Sequence, residues 1–255
     1  MEFSLPSSWI NRPINICLVG VGGTGSALLT ELFQMSFMLH QISEGKVYFN
    51  VVVYDDDEVS FANVGRQSFW GHDVGVNKAT ALVDRFNTFG GINWVAKPCK
   101  FSPSADMLKY DLLITCTDSA QTRADIGEYA KKLHSSMLWL DTGNDAYTGQ
   151  VILGFLGKNI IMLPNVYDLY PSLRTIEDIA TDSCSHIEAL AKQSYGINKK
   201  VALEATCLLW ELLRHSKINR HGAFVDVKEG ITTPLPIDPV HWAMLGFKPK
   251  TKEEH

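Results

Sequence analysis

The stretch NICLVGVGGTGSALLTEL, residues 15–32, decides the fold of this chain. The apolar run at 14–19 ends in glycines and is followed by leucines at helical spacing, which predicts a buried strand, a tight turn and a helix. The glycines match the pattern G-x-G-x-x-G and are Gly20, Gly22, Gly23 and Gly25. Because glycines let backbone amides approach an anion at a helix start, the turn is predicted to bind phosphates. The pattern suits ATP and a redox dinucleotide equally, so the stretch alone does not separate them.

Composition restricts the class of protein. The 255 residues are 45% hydrophobic, which is enough for one large core. The net charge is −5 without a run of Lys or Arg, so neither nucleic acid nor an anionic membrane is expected as a partner. There is no basic leader and no apolar run of about 20 residues, so a cytoplasmic protein is expected. Five cysteines without a CxxC pair predict neither a disulfide framework nor a zinc clip.

Strands and helices alternate through the first part of the chain. The predicted strands are 14–19, 47–54, 92–98, 112–117 and 137–143. The predicted helices follow the glycine turn and then cover 77–89, about 105–110 and 121–133. This alternation predicts an α/β fold with a doubly wound, Rossmann-like, mostly parallel sheet. Ligands of such sheets bind beyond the carboxyl ends of the strands, so the polar motifs are expected to meet there.

The pattern changes in the C-terminal part, where added antiparallel strands are expected. The predicted elements are a strand pair at 149–157 and 159–163, a loop at 164–183, helices at 185–195 and 198–215, and a hairpin at 222–237. We expect one domain over residues 1–255. Its nucleotide-binding part covers about 14–145, and its partner-binding part, with a crossover loop, covers about 146–255.

The segment after the second strand favours ATP over a redox dinucleotide. Asp55 ends that strand where a carboxylate would hold a ribose hydroxyl, which suits both ligands. Transfer of adenylate needs fixed cations around the triphosphate, because negative charge moves onto the departing pyrophosphate. The candidate phosphate ligands are Asn63, Arg66, Gln67 and Lys78. The alternative for Lys78 is a solvated surface lysine, although a lysine at a helix start opposes the helix dipole.

Asp118 follows the fourth predicted strand in the segment Cys116-Thr117-Asp118. It is therefore expected at the same edge of the sheet as the glycines and Asp55. A single carboxylate there is sufficient to hold Mg²⁺, which keeps waters and bridges phosphate oxygens. Asp118 is also predicted to be the N-cap of the following helix, and the two roles are compatible.

Four segments together resemble the ThiF/MoeB family, which shares its fold with the ubiquitin-activating enzymes. They are GVGGTGS (20–26), YDDDEVSFANVGRQ (54–67), GVNKA (75–79) and TCTDS (115–119). The resemblance implies adenylation, dependent on ATP and Mg²⁺, of the C-terminal glycine of a small ubiquitin-like or sulfur-carrier protein, with release of pyrophosphate. The implied roles are nucleotide contact for Gly22 and Gly25, ribose binding for Asp55, phosphate contact for Asn63, Arg66 and Lys78, and magnesium binding for Asp118.

A narrower resemblance lies in the C-terminal part. The segments 183–202 and 224–238 are similar to the ThiF-type proteins of PRTRC operons. The partners that this implies are a small ubiquitin-like protein, a conjugating-enzyme-like protein and a JAB-type protease. Cys184 stands near the place where several relatives carry a cysteine that accepts the activated carboxyl group. A helix start nearby would favour its thiolate, and the alternative is a cysteine with no covalent role.

The resemblance also bears on assembly and on rival functions. Relatives dimerise and donate an arginine from an N-terminal arm to the partner's ATP, so the resemblance implies a homodimer. Only about 13 residues precede the first long strand here, and Arg12 is too close to that strand to take the place of the arm's arginine. The rival enzyme class is a nucleotide-dependent oxidoreductase, based on the glycine turn and Asp55. A further alternative is a non-catalytic adaptor that retains the fold, based on the short arm and the missing zinc clip.

Overall fold

The quoted stretch folds as its pattern predicts. We describe residues 1–133, 135, 137–157, 163–175 and 194–247 from a computed structural model. The strands are β1 (Phe3–Ser4), β2 (Ile14–Val19), β3 (Phe49–Tyr54), β4 (Val95–Lys97), β5 (Leu112–Thr115), β6 (Leu138–Asn144), β7 (Thr148–Phe155), β8 (Lys217–Ile218), β9 (Arg220–Asp226) and β10 (Ile231–Pro236). The helices are α1 (Gly23–Ile42), α2 (Lys78–Gly90), α3 (Ala120–Ala130), α4 (Val166–Leu169), α5 (Ile197–His215) and α6 (Pro239–Met244).

Eight of the described strands form one sheet in the order β10-β9-β7-β6-β5-β2-β3-β4. Strands β4, β3, β2, β5 and β6 are parallel to one another, whereas β7 is antiparallel to β6 and to β9, and β10 is antiparallel to β9. This confirms the predicted fold class. From β2 the chain proceeds to β3 and β4 on one side and then returns to β5 on the other side. The ends of β2 and β5 therefore form the switch point at which ligands of doubly wound sheets bind.

The helices cover the sheet in two layers. Crossovers between parallel strands are right-handed, so α1 and α3, which leave β2 and β5 in opposite directions, belong on opposite faces. The contacts agree with this arrangement, because α1 packs on α5, and α3 packs on α4. Because helices cover both faces of the sheet, all four residues of the apolar strand β5 are buried.

Local signals set the boundaries of α2. Asn77 is its N-cap, with a side-chain oxygen that accepts a hydrogen bond from the Thr80 backbone N–H. Gly91 ends the helix with φ of 60°, a left-handed conformation that glycine adopts at low cost. Both ends lie within one residue of the predicted span 77–89.

Other boundaries differ from the predictions. The antiparallel part begins with a hairpin of β6 and β7, so the strand predicted at 149–157 pairs with the strand before it in the sequence. Its predicted partner at 159–163 lies outside the described residues except for Leu163, whose carbonyl accepts a hydrogen bond from Phe155. The helix predicted at 185–195 also lies outside them except for its last two residues, which are not helical. The hairpin at 222–237 is confirmed as β9 and β10. No helix in the described ranges combines the length and the apolar composition needed to span a membrane.

Candidate active site

The carboxyl ends of β2, β3, β5 and β6 border a cavity of about 940 Å³. The structure brings most of the predicted site residues to this cavity. Those that line it are Gly20, Gly22, Gly23, Asp55, Asn63, Arg66, Gln67, Lys78 and Asp118. The strand ends gather these residues because the parallel strands all end at the same edge of the sheet.

The glycine turn closes the switch point between β2 and β5. Gly20 has φ of 84°, and a Cβ on it would lie 2.8 Å from the backbone oxygen of Cys116. Gly25 does not line the cavity, and a Cβ on it would lie only 2.0 Å from the Gly20 carbonyl oxygen. Gly25 therefore allows α1 to pack against the turn, whereas Gly22 has space in front of it. The start of α1, a helix of 20 residues, thus presents its backbone amides at the cavity.

Asp55 fastens the glycine turn to the end of β3. Its carboxylate accepts hydrogen bonds from the backbone N–H of Val21 at 2.7 Å and from that of Asp57 at 3.0 Å. Burial raises the pKa of Asp55, although these two bonds and the charge of Lys78 oppose the shift. Each carboxylate oxygen keeps a further acceptor site, so Asp55 supports the turn and can still accept a hydroxyl from a ligand.

The loop after β3 is fastened against α1. The Asn63 side-chain oxygen accepts hydrogen bonds from the backbone N–H and the hydroxyl of Ser60, which leaves its NH₂ group as the donor available to a ligand. The backbone N–H of Ser68 donates to the Ser26 hydroxyl on α1 at 3.0 Å. These contacts hold Arg66 and Gln67 beside the glycine turn.

Lys78 is not a solvated surface lysine. It begins α2 with a side chain only 9% exposed, and its Nζ donates to Asp57 Oδ2 at 2.7 Å. Its backbone N–H donates to the Asp57 carbonyl at 2.9 Å. An ammonium group has three donors, so one ion pair leaves Lys78 with donors for a phosphate.

Asp118 follows β5 and is exposed at the cavity. The prediction that Asp118 is the N-cap of the next helix is wrong. Ser119 is the N-cap of α3, and its hydroxyl accepts the backbone N–H of Thr122 at 3.0 Å. The carboxylate of Asp118 is thus not used in capping. In the described part of the chain, three other carboxylates, those of Asp55, Asp56 and Asp57, lie within 4.8 Å of one another.

The sequence did not single out one ion pair of the site. Arg123 of α3 borders the cavity, and its Nε donates a hydrogen bond to Oδ1 of Asp141 on β6 at 2.8 Å. Two signals could have placed its two members near the site, although not as a pair. Arg123 lies one helical turn after Ser119, and Asp141 stands near the carboxyl end of a predicted strand.

A second group of missed residues connects the turn to the C-terminal part. The Thr24 hydroxyl lies 2.9 Å from Asn144 Oδ1 and 3.0 Å from Asn198 Oδ1. Asn144 ends β6 and Asn198 lies in the first turn of α5, so three distant segments meet beside the glycines. All three residues line the cavity.

The cysteines near the site and Arg12 have other roles in the structure. Burial raises the pKa of Cys116 to about 12, so this cavity cysteine is a neutral thiol. Cys184, the predicted acyl acceptor, lies outside the described residues. Arg12 binds the Asp111 carboxylate through both Nη atoms, at 2.8 and 2.6 Å. Asp111 precedes β5, so Arg12 lies at the opposite edge of the sheet from the cavity of its own chain.

These features fit a polyphosphate with a divalent cation. The glycine turn offers amide donors where a side chain would collide, Arg66 and Lys78 supply positive charge, and Asp118 offers a carboxylate without a capping role. Carboxylate and phosphate oxygens are the ligands that Mg²⁺ prefers. The arrangement can therefore hold a nucleoside triphosphate with its phosphates along the switch point.

A model of the ThiF family matches residues 11–163. Ubiquitin-like modifier-activating enzyme 5 of Oryza sativa subsp. japonica is 26% identical over 164 residues, which cover 56% of this chain and 35% of the relative. Thus the chain spans about a third of the length of that curated relative.

Solved structures share the fold at low sequence identity. PaaA has a TM-score of 0.62 and 16% identity over 88% of this chain and 64% of its own. E. coli MccB with ATP has a TM-score of 0.60 and 14% identity, covering 89% of this chain and 65% of its own. MccB has also been solved with AMPCPP and MccA, with a TM-score of 0.61 and 15% identity.

Proposed function

The chain belongs to the ThiF family, and from this premise we propose that it transfers AMP from ATP to a carboxylate at the end of a small protein or peptide. The observation that carries the proposal is that the glycine turn, Arg66, Lys78 and Asp118 border one cavity. A redox dinucleotide would not need this set of cations. In this reaction Gly20, Gly22 and Gly23 form the cradle for the phosphates.

The reaction needs no net proton transfer. A carboxylate oxygen of the substrate attacks the α-phosphorus of ATP, and the bond between that phosphorus and the bridging oxygen breaks. Pyrophosphate leaves with the electron pair, and an acyl adenylate remains. Arg66 and Lys78 stabilise the charge that accumulates on the departing pyrophosphate. The low exposure of Lys78 increases its effect, because few waters screen it.

The remaining site residues position the nucleotide. Asp55 would accept a ribose hydroxyl, and the NH₂ group of Asn63 and the amide of Gln67 would donate to phosphate oxygens. Asp118 would hold Mg²⁺, which neutralises phosphate charge when bound. Gly25 would act indirectly, through the packing of α1.

We further propose the substrate class and the later steps. The acceptor is a small ubiquitin-like or sulfur-carrier protein that ends in glycine, and the protein belongs to the PRTRC type with its conjugating-enzyme-like and JAB-type partners. Residues of about 14–145 bind the nucleotide, and those of about 146–255 bind the partner. Cys184 would then take the acyl group as a thioester, with AMP as the leaving group.

Pyrophosphate–ATP exchange tests the proposal. The protein is incubated with ATP, labelled pyrophosphate and a ubiquitin-like carrier ending in Gly-Gly, and a carrier without its last glycine is the control. We expect exchange with the intact carrier only. Asp118→Ala should abolish it, and Cys184→Ser should leave it within twofold, because the thiol acts after adenylation.

The same assay separates the alternatives. Absence of exchange with tight NAD binding that Arg66→Ala leaves unchanged would favour an oxidoreductase. Absence of exchange with retained carrier binding would favour an adaptor. Either result overturns the adenylation proposal.

A further inference from the structure

Arg123 lies between two cavities. The second cavity, of about 610 Å³, lies along β7, β9 and β10 and next to α4. It shares four lining residues with the nucleotide cavity, namely Arg123, Gly143, Asn144 and Asp145. A group held at Arg123 would therefore border the nucleotide on one side and the second cavity on the other.

Internal hydrogen bonds fix the guanidinium of Arg123. Its Nε donates to Asp141 Oδ1 at 2.8 Å, and its Nη2 donates to the Thr142 carbonyl at 2.9 Å. The same Asp141 oxygen accepts the Thr115 hydroxyl, and Thr115 in turn accepts the indole N–H of Trp139 at 2.8 Å. Asp141 is fully buried. A chain of bonds within the sheet therefore sets the orientation of Arg123.

The ion pair is incomplete within the described residues. The Nη1 group of Arg123 has no protein acceptor there, and Asp141 Oδ2 is buried without a donor. The side chain of Arg123 is 11% exposed and that of Asp141 only 1%, so water does not supply the missing donor to Asp141 Oδ2. Burial opposes the charge of Arg123, but Asp141 and Asp118 together raise its pKa, so it stays protonated. A buried, charged group with a spare donor at a cavity suits an anionic ligand.

The geometry points to the substrate's terminal carboxylate as that ligand. We propose that Arg123 binds this carboxylate and holds it beside the α-phosphate, and that Asp141 is the positioning residue of Arg123. Guanidinium matches the planar carboxylate better than any other side chain. Asp118 and Asp145 also border the cavity and repel a carboxylate, and a contact with Arg123 offsets that repulsion. The inference rests on the proposed function and names the group that recognises its acceptor.

The second cavity then holds the preceding residues of the substrate. Its walls combine a hydrogen-bonded pair, Tyr170 hydroxyl to Gln150 Oε1 at 2.9 Å, with apolar side chains of Leu173, Phe224 and Ile231. The protein should therefore distinguish a chain end with a free carboxylate from the same chain end as a carboxamide.

Binding of a small probe tests this directly. N-acetylglycylglycine and its carboxamide are titrated into the 255-residue chain in the presence of saturating AMPCPP, and the affinity and the Arg123 Nε–H resonance are followed by NMR. We expect at least tenfold tighter binding of the acid and a shift of that resonance with the acid only. Arg123→Ala should reduce the acid preference below twofold, and Arg123→Lys should restore part of it. The matched control is Arg214→Ala, since Arg214 is exposed on α5 and outside both cavities.

Asp141→Asn distinguishes positioning from charge. Loss of the negative charge alone would tighten binding of the acid, whereas loss of the fixed orientation would weaken it. We expect at least threefold weaker binding. Thr115→Val, which removes the hydroxyl that donates to Asp141 and accepts from Trp139 but keeps the charge of Asp141, should weaken binding in the same direction, so the test stands even if Asp141→Asn does not fold.

The outcomes separate this inference from the proposed function. Failure to bind AMPCPP would overturn the proposed function, and the titration would then be made without nucleotide. Equal binding of acid and carboxamide by the wild type, no binding of either at 10 mM, or an acid preference that survives in Arg123→Ala would each overturn the role of Arg123.

Discussion

The buried ionisable groups of the antiparallel half of the sheet and those beside its parallel half differ in how completely they are hydrogen-bonded. In the antiparallel half, His221 of β9 is fully buried and both ring nitrogens have partners. Nδ1 bonds to the Leu153 carbonyl at 2.7 Å, and Nε2 accepts the Trp242 indole N–H at 2.7 Å. On the helices that cover the parallel half, Lys78 and Arg123 each pair with one carboxylate among the described residues and keep donors for a ligand.

This difference distinguishes buried polar groups that stabilise the fold from buried polar groups that bind a ligand. A buried polar group with a complete set of partners stabilises the fold, and His221 is of this kind. A buried cation with an incomplete set beside a cavity is expected to bind a ligand. Substitution of the cations beside the parallel half is therefore expected to lower activity, whereas substitution of His221 in the antiparallel half is expected to lower stability.

Among the buried groups of this comparison, Lys78 has the largest expected effect, measured in Lys78→Ala. Removal of a fixed cation from the phosphates should lower the exchange rate about 100-fold to 1,000-fold, as for other groups that stabilise transition-state charge. The melting temperature should change little. Lys217→Ala, at an exposed position on β8, is the matched control in the same assay. A loss of less than threefold in the exchange rate would contradict the role of Lys78 in binding the phosphates.

The next effect is a pH dependence of stability from His221. Burial lowers the pKa of His221 from 6.5 to about 4. The unfolded chain therefore binds a proton that the folded chain does not between these pH values, so this contribution to stability is present above pH 6.5 and is lost as the pH falls to about 4. The loss should reach about 3 kcal/mol.

Urea unfolding at pH 7 and pH 4.5 measures this effect. His221→Gln cannot gain the proton and should show a smaller loss of unfolding free energy on acidification than the wild type. Equal losses in the two proteins would show that His221 is not the group responsible.

Gly25→Ala and Gly22→Ala separate packing from ligand contact within the turn itself. A Cβ at position 25 would meet the Gly20 carbonyl, so this variant should lose about 1–3 kcal/mol of stability. At position 22 the nearest atom to a Cβ is Gln67 Nε2 at 3.9 Å, so the second variant should fold normally and weaken nucleotide binding. Thermal unfolding and a nucleotide titration measure both, and an equally destabilised Gly22→Ala would contradict the distinction.

The smallest effect concerns the connection between the two halves. Thr24→Val removes the hydroxyl that bridges α1 to Asn144 and Asn198, and should cost about 1 kcal/mol in unfolding free energy. Thr24→Ser keeps the hydroxyl and should retain most of the stability. If both variants unfold like the wild type, the bridge does not connect the halves energetically.

Parts of the fold with local causes could be predicted from the sequence. The apolar run of β2 and the cap residues of α2 act within a few residues, so their elements agree with the predictions. The pairing of β6 with β7 was missed because it depends on which neighbour completes the sheet. The N-cap of α3 was assigned one residue early, because Asp118 and Ser119 are both good caps and only the observed turn geometry separates them.

The candidate site divides in the same way. Residues that follow a strand directly, such as Asp55 and Asp118, are predictable because parallel strands end at one edge. The pair Arg123–Asp141 was not, since it joins α3 to the neighbouring strand β6 across the sheet edge. The pairing of Lys78 with Asp57 was missed because it joins the start of α2 to the loop after β3, 21 residues earlier in the chain.

By itself, the sequence determined the succession of strands and helices, the glycine turn and the chemical types of group at the strand ends. Those features follow from backbone sterics and from hydrophobic periodicity, which operate over short segments. The tertiary structure alone decided which charges are neutralised and which keep a donor for a ligand. Those outcomes depend on distances between residues that are far apart in the chain. Burial increases the energetic effect of each hydrogen bond that is formed or missing, because water cannot replace it.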